Sequence, residues 1–102
     1  MEEPAAYRTL VELLLEDPAV TEGQMMGMPA LKLGSKMFGG RSGDELVLKI
    51  GRERVDELVA AGRARPFDPS GRGRPMKDWA MLPEPADDWP ALAREAKALA
   101  AG

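Results

Sequence analysis

Neither cysteine nor histidine occurs among the 102 residues. Without cysteine there is no disulfide and no thiolate zinc site, and a reducing compartment suits the chain. Without histidine the commonest general base, the commonest transition-metal ligand and the usual partner of a catalytic serine are gone. Aromatic residues are scarce: two tryptophans, one tyrosine and two phenylalanines. No apolar run approaches the roughly 20 residues of a membrane-spanning helix, so no membrane partner is expected. The start, Met1-Glu2-Glu3-Pro4, is acidic and lacks the basic and apolar regions of a signal peptide. A cytoplasmic protein is the expectation. Positive charge is not in excess either: 14 Lys+Arg against 17 Asp+Glu leave a net charge of -3. That balance favours solubility and is not the global charge of a nucleic-acid coat.

What is present is a regular change of period. Tyr7, Leu10, Val11, Leu14 and Leu15 recur at steps of three and four, which predicts a helix over 4–16, ended by Asp17-Pro18. Strands are expected near Gln24–Met28 and Ala30–Leu33. A hairpin follows, Lys36–Gly40 and Glu45–Ile50, in which Leu46, Leu48 and Ile50 alternate with Val47 and Lys49. On this reading Leu48 faces the core and Val47 a less covered side. The stretch Gly39-Gly40-Arg41-Ser42-Gly43 lacks the spacing and the following helix of a phosphate loop, so its glycines are assigned to the positive φ angles of the turn. A second helix over 52–61 carries Val55, Leu58 and Val59 and stops at Gly62. Residues 63–75 are rich in Pro and Gly and read as loop, with a brief edge strand at Pro66-Phe67. Met76 to Leu82 alternates as a last strand. Asp87 or Asp88 is placed to cap a closing helix with Trp89, Leu92, Ala93, Ala96 and Leu99 on one stripe.

The expected class is α+β: one domain over 1–102, with an antiparallel sheet of about four to six short strands flanked by three helices. The order is α-β-β-β-β-α-β-(β)-α.

Chemistry is harder to find. Asp44 and Glu45 are neighbours on a strand and point opposite ways, so they cannot share a proton as a dyad would. Asp56 and Glu57 sit on the exposed side of their helix. The Met25/Met26/Met28 cluster reads as packing, because no other soft ligand completes a metal site. No catalytic, cofactor-binding or metal-binding residue is assigned, and no cofactor is expected. Arg63, Arg65, Arg72, Arg74 and Lys77 gather positive charge over 63–77, offset there by Asp68, with Phe67 and Trp79 adjacent as stacking surfaces. Lys49 ends an apolar strand, where a long stem can lie along apolar surface. The residues singled out as a binding surface are Phe38, Lys49, Arg72, Arg74, Lys77 and Trp79.

The run Met37-Phe38-Gly39-Gly40, then Leu46-Val47-Leu48-Lys49, then Ala61-Gly62 and Pro66-Phe67, then Met76-Lys77-Asp78-Trp79 before Leu82-Pro83 resembles the TfoX N-terminal domain family, within the wider YjbR/MmcQ-like fold group. The closing helix with Trp89 and Ala96 continues the pattern, which covers most of residues 20–100. The resemblance implies a small α+β domain and brings no catalytic residues to carry over. Its namesake regulators of competence carry a second domain, and the Met25–Leu33 stretch is closer to stand-alone relatives. The functional expectation is a non-enzymatic interaction domain, accessory to transcriptional regulation, with a protein partner and a possible homodimer. The alternatives are a weak nucleic-acid binder through the basic 63–77 loop, and a small-ligand or enzymatic domain using the groove near Lys49 and Trp79.

Overall fold

A computed structural model describes residues 3–68, 71, 73 and 75–102. Three helices and six strands follow one another as α1 (Ala5–Leu14), β1 (Val20–Met25), β2 (Met28–Leu33), β3 (Lys36–Ser42), β4 (Glu45–Lys49), α2 (Arg52–Ala60), β5 (Arg65–Phe67), β6 (Met76–Leu82) and α3 (Trp89–Ala101). The strands form one sheet in the order β1-β2-β3-β4-β6-β5, and every neighbouring pair is antiparallel. The α+β class and the order of elements match the expectation.

The hairpins show where turn chemistry was misplaced. The first expected strand, Gln24–Met28, straddles a turn: Met25 pairs with Met28, and Met26 (φ 51°) and Gly27 (φ 76°) form the tip between them. Two consecutive positive φ angles are what a two-residue I′ hairpin demands, and a methionine fills the first position. Gly39 and Gly40 are not turn residues. They lie inside β3, opposite Leu48 and Val47, and the β3–β4 turn is made by Gly43 (φ 61°) and Asp44. The two mid-strand glycines serve close approach instead. A Cβ on Gly40 would run into the Pro29 carbonyl oxygen, and one on Gly39 would lie 3.2 Å from a Leu48 methyl.

All three helices bury their stripes on the same side of the sheet. Tyr7, Leu10, Val11 and Leu14 of α1, Val55 and Leu58 of α2, and Trp89, Leu92, Ala93 and Ala96 of α3 join Leu31, Phe38, Leu46, Leu48, Ala80 and Leu82 in one core. α2 ends as the sequence suggests: Gly62 adopts φ 73°, with Gly62 N–H on the Val59 carbonyl and Arg63 N–H on the Leu58 carbonyl. These are the paired bonds of a Schellman motif. α3 departs from expectation, since Asp88 precedes it without a side-chain capping bond. Its carboxylate is taken by Arg63, which also donates to the carbonyls of Pro83 and Pro85.

The opposite side of the sheet has a second, smaller cluster made of strand residues alone. Val47, Phe67 and Trp79 are buried there, packed with the half-buried Met25, Met28, Met37, Met76 and Met81. Val47 is therefore fully buried, contrary to the expectation of a less covered side. Its cover comes from flexible methionine side chains and Phe67, contributed by strands distant in sequence.

Candidate ligand-binding face

The alternation of β4 and β6 fixes which residues reach the side away from the helices. Leu46 and Leu48 pair with Leu82 and Ala80 on the helix side, so Val47 and Lys49 pair with Met81 and Trp79 on the other. Lys49 and Trp79 are thus direct cross-strand neighbours. Trp79 leans on Phe67 with ring centroids 6.3 Å apart and planes tilted by 51°. Offset or tilted pairs at this distance are the favoured aromatic geometry.

At the end of the sheet where β3 begins and β4 finishes, a cavity of about 400 Å³ opens. Met25, Lys36, Met37, Phe38, Lys49 and Trp79 line it from the strands, and Leu99 and Ala100 from the last turn of α3. Three of the residues expected to form a binding surface, Phe38, Lys49 and Trp79, are brought together here. Phe38 belongs to the wall and is fully buried, whereas Lys49 is exposed at the mouth. Lys36 and Lys49 make no ion pair or hydrogen bond among the described residues, and no carboxylate lines the cavity.

Lys77 lies elsewhere, in a smaller depression of about 180 Å³ with Arg52, Val55, Asp56, Pro66 and Pro75. Arg72 and Arg74 lie outside the described residues. The remaining arginines of the basic stretch are already engaged: Arg63 with Asp88, and Arg65 with Glu45 at 2.6 Å. Among the described residues, the charge read from 63–77 is divided between these two ion pairs and the depression at Lys77. Sequence reasoning also missed Met25, Lys36, Met37, Leu99 and Ala100 as cavity residues. Leu99 was assigned to the core stripe of α3 but is 53% exposed.

Among the described residues no three acidic, cysteine or histidine side chains could hold a metal ion, and no titratable group lines the cavity except the two lysines. A concave, mostly apolar site carrying two cations is equipped to bind.

The fold is that of a small α+β domain, with its helices on one side of an antiparallel sheet and a methionine-rich cluster on the other. A sequence model of the TfoX N-terminal domain matches residues 9–100, and the chain belongs to that family. Among curated proteins and among solved structures none matches the chain.

Proposed function

We propose that this domain acts without catalysis, docking a protein partner on the face of the sheet that carries no helix. The observation that carries this reading is the make-up of that face. Val47, Phe67 and Trp79 are buried beneath five half-buried methionines. Methionine is unbranched and polarisable, and surfaces rich in it adapt to a partner's shape. A contiguous apolar patch of this sort marks an interaction site more often than a free surface. An accessory role in transcriptional regulation, in the cytoplasm, belongs to the same proposal and rests on membership of the family.

Capture from the native host tests the reading. Wild-type protein should retain a specific partner through a salt wash, because an apolar interface is weakly screened. A Met28→Glu, Met81→Glu double variant should release it. Identical protein sets on the two baits would refute the reading. A partner lost at moderate salt from the wild type would point to a charged surface instead.

A further inference from the structure

We propose that the cavity between Lys36 and Lys49 is a site for a small amphipathic anion, a molecule with an apolar body and one carboxylate. This goes beyond docking of a protein, since the site can be filled whether or not a partner lies over the rest of the face. The size agrees: about 400 Å³ falls within the roughly 300–1,000 Å³ of small-molecule sites. The lining agrees as well. Met25, Met37, Phe38, Trp79 and Leu99 give an apolar body its surroundings, and the two methionines can adjust to chain or ring.

The charge decides the ligand's sign. Arg8, Arg54, Arg63, Arg65 and Lys97 each hold a carboxylate of the protein, while Lys36 and Lys49 hold none. Other cations without a partner exist, Lys32 and Lys77 among them, but they do not line this cavity. The last turn of α3 opposes an anion, because its free carbonyls amount to roughly half a negative charge. Two full positive charges outweigh that. Lysines, as point charges on flexible stems, can approach one carboxylate from two sides without the fixed planar geometry that arginine imposes.

The test uses octanoate, octanol and octylamine as probes, below their aggregation limits, with the ¹⁵N-labelled protein. Octanoate should shift the Trp79 indole N–H and the amides of Met37, Lys49 and Leu99 saturably, leaving the α1 and α2 amides in place. Octanol should bind about tenfold more weakly or worse, as expected when charge-assisted hydrogen bonds are removed. Octylamine should be the weakest of the three. The Lys36→Met, Lys49→Met double variant should lose the preference for octanoate over octanol. Both lysines are exposed, so the variant is expected to fold; if it does not, Lys49→Gln alone must show part of the same loss. Equal affinity for octanoate and octanol, or a preference that survives the substitutions, overturns the proposal. So does the absence of any shift at these four positions with all three probes.

Discussion

Val47 and Leu48 are adjacent on β4 and buried on opposite sides of the sheet, Leu48 beneath the helices and Val47 against Phe67, Trp79 and the methionines. Leu48→Ala should cost about 2–5 kcal/mol, the range for large-to-small changes in a core. Val47→Ala should cost on the order of 1–3 kcal/mol, for fewer carbons but an equally dry site. Urea titration of both variants checks this, and a Val47→Ala cost near zero would mean that its methionine cover is loose. Tyr7 offers a second measurement at this scale. Its side chain is 1% exposed, and burial, helped by the nearby Glu22 and Glu3 carboxylates, pushes its phenol up to about 12. A raised pKa means that the unfolded chain ionises first. The stability Tyr7 contributes is therefore whole below about pH 10 and is lost as pH climbs towards 12, on the order of 2–3 kcal/mol. Tyr7→Phe should flatten that alkaline decline, which thermal melts between pH 9 and 12 would show.

Between elements, ion pairs join what the core does not. Arg8 links α1 to β1 through Glu22, Arg54 links α2 to α3 through Glu95, and Lys97 ties α3 to Asp17 beyond the end of α1. Most are half exposed and worth little each. Arg63 is different, because its fork holds Asp88 and two loop carbonyls at once, fixing the segment between β6 and α3. Arg63→Ala should cost about 1–3 kcal/mol, read as a lower urea midpoint with an unchanged slope. Arg63→Lys should recover little, because an ammonium cannot span four acceptors with the planar fork. The Arg63 hydrogen bond also holds the Asp88 carboxyl below its usual range. A lowered pKa means stability that is present above about pH 4 and lost as pH falls through the folded value. Asp88→Asn should make the acid limb shallower. The element boundaries were mostly legible because periodicity survives in a single chain: Met76–Leu82 is a strand with the expected bounds. The Met26-Gly27 tip was not, because methionine gives no turn signal and its positive φ is imposed by the pairing on either side.

On the scale of the whole molecule, charge argues against a polyanion. The chain carries -3 overall, and two arginines of the 63–77 stretch are held by Asp88 and Glu45. Fluorescence anisotropy with labelled duplex and single strands should detect no binding, even at low salt. Binding that falls with a log–log salt slope of about -0.9 per phosphate would instead restore the nucleic-acid reading. The candidate site was only half visible beforehand. Phe38, Lys49 and Trp79 could be picked out because they interrupt an alternating pattern or add an aromatic to it. Lys36, Leu99 and Ala100 could not, since they meet only where the end of α3 passes the end of β3 and β4. That meeting depends on how helices lie on the sheet, which no local pattern encodes.

The division of the methionines has a chemical consequence. Met25, Met28, Met37, Met76 and Met81 all belong to the helix-free face, and among the described residues the core under the helices contains none. Peroxide, which turns a thioether into a polar sulfoxide, should therefore strike one side of the sheet. Mild treatment is expected to add oxygens to these residues and to Met26 at the exposed hairpin tip, as peptide mass mapping would reveal. Helical circular dichroism should persist while partner capture and the response of the Trp79 indole to octanoate decline together. In a chain without a single thiol, sensitivity to oxidants would then reside in the helix-free face proposed for recognition, with the scaffold beneath it largely spared.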